Sequence, residues 1–217
     1  MNKIGKNKIR ALILDFGGVI SLPQNSENVY NILQTLNLEH NDFMKVYLNQ
    51  RAIYDNGQIT GEQYWLNILQ YFGFSIQIQN IPSLIKEDIA SWTVINDSMI
   101  QFISEIRGKF FKLAIISNMN NDVLEYLRDN FRWLELFDEL IFSCEVGINK
   151  PNREIYKICL RELNLSASDC LFVDDSLENV RAAKELDMHA IQFGTMSEFK
   201  IEFNEKFYPF SIAWRSS

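Results

Sequence analysis

Hydrophobic residues fall into two kinds of pattern along the chain, and their order predicts the fold class. Short apolar runs recur, beginning with Ala-Leu-Ile-Leu at positions 11–14. Runs of this length are typical of strands that are buried on both faces of a parallel sheet. Later runs lie at 111–118, 139–143, 170–175 and 189–194, with apolar residues at helical spacing between them. This strand–helix alternation predicts an α/β fold with a doubly wound parallel sheet and right-handed crossovers.

The segment between the first and second strands has a purely helical pattern. Thr60 and Gln63 form a capping-box signature for a helix that ends near Gly73, and Pro82 opens another. A further helix is expected at 97–107, returning the chain to the sheet. We therefore expect a helical cap at residues 23–94, inserted into a core domain formed by residues 1–22 and 95–217.

Composition limits the classes of partner. The net charge of −7 and the isoelectric point near 5.0 argue against a nucleic-acid partner, because its phosphates would be repelled. No apolar run approaches the roughly 20 residues that span a bilayer, and Asp15 interrupts the apolar run that follows the basic start of the chain. Three cysteines scattered among apolar residues favour reduced thiols in a cytoplasmic protein, without disulfide or metal.

The candidate chemistry lies where the predicted strands end. Carboxyl ends of parallel strands share one edge of a sheet, so these residues are expected to converge. Three carboxylates at this edge would repel each other, which calls for a cation, and an all-oxygen site suits Mg²⁺. A lysine, a hydroxyl and an amide add donors for an anionic oxygen, so the set predicts a phosphoryl-transfer site. The residues are Asp15, Ser117, Asn118, Lys150, Asp174 and Asp175.

The helix expected to begin at Pro151 would turn its amide end toward the same edge. Four segments with this chemistry occur in a fixed order: LILDFGGVI, IISN, INKPNREIY and LFVDDSLENV. Together they resemble the motifs of the haloacid dehalogenase superfamily, over about residues 9–194. Within it the chain looks most like the small phosphatases whose first motif is an acid followed by a glycine pair, relatives of sugar-phosphate phosphatases and of the amino-terminal phosphatase domain of soluble epoxide hydrolases.

The resemblance implies a Rossmann-like sheet of order 5-4-1-2-3 with a helical cap, and it implies a role for each motif residue. Asp15 would attack phosphorus and form an aspartyl-phosphate that water later hydrolyses. Mg²⁺ would be held by Asp15, the carbonyl of Gly17 and Asp175, with Asp174 acting through a water. Ser117 and Lys150 would bind the phosphoryl group with help from Asn118, and Asn179 would brace the metal loop. The expected substrate is a small phosphorylated metabolite, with sugar phosphates among the candidates.

One position departs from the family pattern. The usual phosphatases carry a second Asp two positions after the nucleophile as general acid and base, and that position here is Gly17. General acid–base catalysis typically contributes about 10²–10⁴-fold. Two hypotheses therefore stay open: a phosphatase without this acid, or a catalytically weakened module that binds a phosphometabolite or a protein. Metal-free dehalogenase chemistry is disfavoured, because the pair at 174–175 would be strongly repulsive beside Asp15.

Three further expectations concern residues outside the motifs. Asp55 is interpreted as a turn acid before Asn56-Gly57 rather than as a cleft residue. Tyr64, Trp65, Phe72 and Phe74 are expected in the core of the cap, and any aromatic contact with substrate is expected from residues 54–64. The aromatic tail at 195–217 is expected to pack on the body of the protein. The oligomeric state of the protein is open.

Overall fold

The computed structural model describes residues 9–74, 80–108 and 112–207, and these residues form the predicted α/β fold. Five parallel strands make the sheet in the order β3-β2-β1-β4-β5, which confirms the predicted order. The central strand, β1, lies between β2 and β4, so its carboxyl end is flanked by theirs. The strands are β1 (Ala11–Leu14), β2 (Lys112–Ser117), β3 (Glu139–Phe142), β4 (Cys170–Asp174) and β5 (His189–Gln192).

The alternation of side chains along β1 places one hydrophobic cluster on each face of the sheet. Leu12 and Leu14 pack with residues of three helices, α5 (Asp97–Ile106), α6 (Asn121–Asn130) and α10 (Met196–Lys206). Ala11 and Ile13 pack with residues of α8 (Arg153–Leu163) and α9 (Leu177–Lys184). All four residues of β1 are fully buried, as expected for a strand covered on both faces. The helical turn α7 (Ser143–Val146) follows β3.

The four described helices between β1 and α5 form a segment that we call the helical insert. They are α1 (Ser26–Leu36), α2 (His40–Asp55), α3 (Gly61–Tyr71) and α4 (Ile81–Trp92). Their buried faces make a hydrophobic cluster of their own, which includes Tyr64 and Trp65, with Phe72 and Phe74 packed against it. The capping box of Thr60 and Gln63 is present, as predicted.

The chain enters and leaves the helical insert through two adjacent segments. Ser21 and Ile95 form an antiparallel bridge, and the amide of Leu22 donates to the carbonyl of Val94 at 2.8 Å. The assignment of residues 23–94 to a separate cap domain stays a prediction.

The end of α2 docks on the start of α6, on the start of α7 and on the loop before α8. Tyr54 Oη donates to Asp122 at 2.6 Å, and Asn149 Nδ2 donates to the carbonyl of Ala52 at 2.7 Å. Ser143 Oγ donates to the carbonyl of Asp55. These contacts fix one side of the helical insert directly against the edge of the sheet where the candidate residues lie.

One local expectation was wrong, because α8 begins at Arg153 with Asn152 as its N-cap. Pro151 therefore lies outside this helix instead of at its first position. Asn152 accepts a hydrogen bond from the amide of Glu154, so the side chain of a good N-cap residue sets the start of the helix. The segment between β3 and α8 contains the helical turn α7.

The carboxy-terminal segment packs on the body through α10. Phe199, Phe203 and Phe207 are buried, and the first two contact Phe102 of α5. The remaining aromatic residues of the expected tail, Tyr208, Phe210 and Trp214, lie outside the described residues, as does Phe111. Within the described part of the chain, no helix has the length and apolar character needed to cross a bilayer.

Candidate active site

Asp15 lies immediately after the central strand, where the backbone turns sharply. It caps the following turn, because its Oδ1 accepts the amide of Phe16 at 2.7 Å. The second glycine of the pair, Gly18, has φ +69°, and a Cβ there would come within 2.5 Å of Asp175 Oδ2. A residue with positive φ and no space for a side chain explains glycine at this position. The turn therefore brings the first motif against the end of β4.

Lys150 joins the two central acids. Its Nζ lies 2.7 Å from Asp15 Oδ1 and 2.6 Å from Asp174 Oδ2, and the side chain is almost completely buried. Burial lowers the pKa of Lys150, but Asp15 and Asp174 outweigh this effect and raise it. The lysine is therefore held as a cation between two strand ends.

Asp174 is fully buried and saturated with donors. In addition to Lys150, its carboxylate accepts the amide of Ser176 at 2.8 Å and both of its oxygens accept Asn179 Nδ2 at 3.1 Å. Asp175, the next residue, is exposed on the other side of the strand end. Adjacent acids thus differ: one is fixed inside the hydrogen-bond network and the other is available at the surface of the cavity.

The three carboxylates have the chemistry of a divalent-cation site. One oxygen from each of Asp15, Asp174 and Asp175 lies within 4.8 Å of the others. Lys150 supplies a single positive charge against these three acids. An all-oxygen set with excess negative charge matches the ligand preference of Mg²⁺. The residues present therefore fit the metal predicted from the sequence.

The pKa values of the acids reflect their burial and their proximity to one another. Burial raises the pKa of Asp15 to about 7, Lys150 opposes this effect, and Asp174 and Asp175 add to it. The pKa of Asp175 is also raised, first by burial and then by Asp174. Without a further cation, the site therefore favours a proton on one of its acids.

Ser117 and Asn118 follow β2 on the other side of Asp15. Ser117 is buried at the end of the strand and lines the cavity described below. The side chain of Asn118 spans the backbone of Lys150: its Oδ1 accepts the amide at 2.7 Å, and its Nδ2 donates to the carbonyl at 3.0 Å. The contacts therefore assign Asn118 to the placement of Lys150, while its direct contact with phosphate stays a prediction.

A cavity of about 360 Å³ opens between this edge of the sheet and the helical insert. One side is lined by all of the predicted motif residues except Asp174, which is buried beneath them. The other side contains residues that the sequence did not identify, from the helical insert and the loop after β2. These are Gln24, Leu48, Arg51, Asp55, Trp92 and Asn120.

Asp55 is not the exposed turn acid that its sequence context suggested. It is the last residue of α2, is about 9% exposed and lines the cavity. Arg51, one helical turn earlier, donates from Nε to its Oδ1 at 2.9 Å, and Asn120 Nδ2 donates to the same oxygen at 3.3 Å. The i, i+4 spacing of Arg51 and Asp55 was the signal available in the sequence, since it places both on one helix face.

The aromatic contact with the cavity also comes from another place. Tyr54 and Tyr64 are buried, and their hydroxyls donate to Asp122 and to the carbonyl of Tyr47. The cavity is lined instead by Trp92 and Phe16. Trp92 is the last residue of α4, and its Cζ3 lies 3.9 Å from the position of a Cβ on Gly17. Contact of substrate with an aromatic residue at 54–64 stays a prediction, which the lining of the cavity does not favour.

The fold and the order of the strand-end residues define the class of protein. The family model of the haloacid dehalogenase-like hydrolases matches residues 9–187. The chain therefore belongs to this family of hydrolases, which confirms the resemblance seen in the four motifs.

Two curated relatives show which kinds of protein the chain matches. The chain is 33% identical over 91 residues to the sesquiterpene phosphatase astK of Aspergillus oryzae, which covers 42% of this chain and 46% of that protein. It is 23% identical over 193 residues to the D-ribitol-5-phosphate phosphatase of Bacteroides thetaiotaomicron, which covers 85% of this chain and 91% of that one. Against mouse acyl-CoA dehydrogenase family member 10 the match spans only 9% of the relative. The chain thus spans less than half the length of several proteins that it matches.

Solved structures agree on the fold. A haloacid dehalogenase family enzyme from Bacteroides thetaiotaomicron superposes with a TM-score of 0.74 at 20% identity, covering 90% of this chain and 98% of that one. Another structure of that enzyme, a complex with magnesium and inorganic phosphate, has a TM-score of 0.69 and covers 88% of this chain and 98% of that one.

Proposed function

We propose that this protein is a Mg²⁺-dependent phosphatase that hydrolyses a small phosphate monoester through an aspartyl-phosphate on Asp15. The observation that carries the proposal is the cluster of Asp15, Lys150, Asp174 and Asp175 at adjacent strand ends, open to a cavity. The phosphatase relatives, and the magnesium and phosphate complex of a protein with the same fold, support it. Sugar and polyol phosphates are among the candidate substrates.

The metal is proposed to bind Asp15, Asp175 and the carbonyl of Gly17, with Asp174 in the outer shell. When bound, Mg²⁺ would neutralise the acids and polarise the phosphoryl oxygens. Asn179 and Lys150 hold Asp174 in place. These contacts fix the carboxylate before any ligand arrives, which lowers the cost of organising the site.

The chain's own residues would perform the transfer. Asp15 is proposed as the nucleophile: one carboxylate oxygen bonds to phosphorus while the bond to the leaving oxygen breaks. Lys150 and Ser117 would hold the phosphoryl oxygens, and Asn118 would hold Lys150 through its backbone. Water would then attack phosphorus of the aspartyl-phosphate, releasing phosphate and restoring the carboxylate.

The helical insert is proposed to act as a cap over the cavity. Its residues Arg51, Asp55 and Trp92 face the strand-end cluster across the same space. Closure by such an element would exclude water and contact the leaving group. The leaving group would therefore be selected by the insert, and the phosphoryl group by the strand ends.

The test is turnover of para-nitrophenyl phosphate with Mg²⁺, with chelator, and after Asp15→Asn. We expect Asp15→Asn to lower kcat by at least about 10³-fold, because the amide cannot form the covalent intermediate. A matched control is Asp169→Asn, which changes an acid of the same type beside Arg10, away from the cavity. Activity that survives Asp15→Asn, or that ignores the chelator, would defeat the mechanism.

The second hypothesis, a module that binds without catalysis, is favoured by Gly17 alone. It predicts that the wild-type protein binds orthovanadate or phosphate with Mg²⁺ but turns over no ester. Measurement of both binding and turnover on the same preparation separates the two functions.

A further inference from the structure

The side of the cavity formed by the helical insert contains a polar cluster that the phosphoryl-transfer chemistry does not use. Arg51 lies between two carboxylates: Nε contacts Asp55 at 2.9 Å, and Nη1 contacts Asp88 at 2.9 Å. Asp88 is completely buried and also accepts the hydroxyl of Tyr47, whereas Asp55 lines the cavity. The cluster thus has a buried end and an end that faces the cavity.

Arg51 is fixed within this cluster. Its guanidinium carbon lies 5.3–5.9 Å from the centres of four rings, those of Tyr47, Tyr54, Tyr64 and Trp92. A guanidinium packed among aromatic faces and paired with two acids loses little further entropy on binding a ligand. Asp55, which it holds, is therefore a pre-oriented group.

Only one oxygen of Asp55 is engaged. Oδ1 accepts both Arg51 Nε and Asn120 Nδ2. Among the described residues, no donor bonds to Oδ2. The geometry therefore leaves one carboxylate oxygen as an acceptor at the cavity, held in place by the two donors on its neighbour.

The charge of the cluster decides which leaving group suits it. One guanidinium is paired with two carboxylates, so the cluster has more negative than positive charge when both acids are ionised. A second anionic group on the substrate would be repelled. A cationic group would meet Arg51, which already lies against Trp92. A neutral hydroxyl, which donates to a carboxylate, fits without either conflict.

Trp92 supplies an apolar surface beside this acceptor. Its Nε1 donates to Tyr47 Oη at 3.0 Å, which fixes the indole orientation. Because Gly17 has no side chain, the indole borders the cavity next to Asp15. The C–H groups of a carbon skeleton can pack on this ring while its hydroxyls reach Asp55.

We infer that Asp55 and Trp92 form a leaving-group subsite that selects uncharged, polyhydroxylated phosphate monoesters, through a hydroxyl donated to Asp55 Oδ2. The inference rests on the proposed function, which it deepens by naming the substrate class and the selecting residues. It separates a polyol phosphate from an alkyl phosphate, which has no hydroxyl, and from a phosphorylated carboxylate, which carries a second charge.

The experiment compares kcat/KM for a pentitol 5-phosphate, n-pentyl phosphate and 3-phosphoglycerate with Mg²⁺. We expect the wild type to prefer the pentitol ester over the pentyl ester by about 10²-fold or more, since a site built to bind a hydroxyl leaves its acceptor unpaired with the analogue. Asp55→Asn should lower that ratio at least about 10-fold, and it should raise activity on phosphoglycerate relative to the pentitol ester because a negative charge is removed.

The matched control is Asp88→Asn, which changes the other carboxylate on Arg51 but does not line the cavity. It should leave the pentitol-to-pentyl ratio unchanged, whatever its effect on stability. Thermal-shift titration of Asp15→Asn with the same three esters measures the preference as binding and does not require that a variant of Asp55 folds.

The inference is overturned if the wild type hydrolyses or binds the pentyl ester or phosphoglycerate as well as the pentitol ester. It is also overturned if Asp55→Asn and Asp88→Asn change the ratio equally. If no ester is hydrolysed by the wild type, the proposed function fails, and the binding preference of Asp15→Asn still decides the subsite.

Discussion

Two buried clusters face each other across the cavity, and each has one cation between two carboxylates. At the strand ends, Lys150 contacts Asp15 and Asp174 at 2.7 and 2.6 Å. In the helical insert, Arg51 contacts Asp55 and Asp88, both at 2.9 Å. The two clusters differ in their surroundings, and the differences indicate what each cluster can do.

The strand-end cluster has a third acid and a point-charge cation. Asp175 adds to the negative charge, and the pKa of Asp15 is raised to about 7 chiefly by burial. Lysine is a compact cation, and its pairing with the acids can change when a metal and a phosphoryl group bind. This cluster is therefore short of positive charge and suited to take up ions during a reaction.

The cluster of the helical insert is closer to complete. Four aromatic rings surround the guanidinium, and burial lowers the pKa of Arg51 while Asp55 and Asp88 outweigh that effect and raise it. A planar cation held in this way has a fixed orientation. If the proposed function holds, similar charge sets serve reaction at the strand ends and recognition in the helical insert.

The largest difference between the two clusters is expected when the cation of each is removed. Lys150→Met should lower kcat about 10²–10³-fold, because a group proposed to stabilise the transferred phosphoryl group is lost. Both Lys150→Met and Arg51→Met should destabilise the metal-free protein by about 3–5 kcal/mol, since each leaves buried acids unpaired. Chemical denaturation with and without Mg²⁺ measures the difference: magnesium should restore part of the stability of Lys150→Met and none of that of Arg51→Met. Equal rescue of both variants would show that the clusters are alike.

The glycine pair between the clusters gives a second, smaller effect. Gly17 has φ −63° and ψ 126°, which any residue can adopt, and a Cβ there would make ordinary contact with Trp92. Gly17→Asp should therefore fold and should raise kcat on an alkyl phosphate at least about 10-fold, because it supplies a general acid for a poor leaving group. Gly18→Ala is the contrasting variant: it has φ +69° and collides with Asp175, so activity should fall. No gain from Gly17→Asp in a folded, active protein would show that the missing acid is already replaced.

The pH dependence should give the smallest effect. The pKa of Asp15 in the folded protein, near 7, lies above the ordinary aspartate value of 3.8, so the metal-free folded state binds an extra proton between these values. The stability from this carboxyl is full at low pH and is lost as pH rises to about 7. Mg²⁺ prefers the ionised acid, so its affinity should rise over the same range. Thermal melts from pH 5 to 8, with chelator and with Mg²⁺, should show a magnesium-induced increase in Tm that grows with pH. An increase that is constant with pH would contradict this assignment.

Much of the secondary structure was predictable because its determinants are local. The apolar run at 11–14 and the capping box at Thr60 and Gln63 each depend on residues close in sequence. Helix starts were less accurate: Pro151 suggested the start of α8, but Asn152 caps it. Local rules indicate that an element exists more reliably than they indicate where it begins.

The candidate site also has a part that local sequence predicted and a part that it did not. Its strand-end half was predicted, because carboxyl ends of parallel strands meet at one edge once the alternation is read. The half formed by the helical insert was missed, because Asp55 next to Asn56-Gly57 has the local signature of a turn. Only docking against Asn120 and Ser143 buries it.

The sequence by itself determined the fold class and the polar residues at the strand ends, since these follow from periodicity and from acids placed where apolar runs stop. The strand order was predicted only through the resemblance of the four motifs to a known family. The tertiary structure alone decided the partners of each acid: Lys150 for Asp15 and Asp174, and Arg51 for Asp55 and Asp88. The physical reason is that charge pairing and burial depend on distances between elements far apart in the chain. Local sequence does not encode those distances.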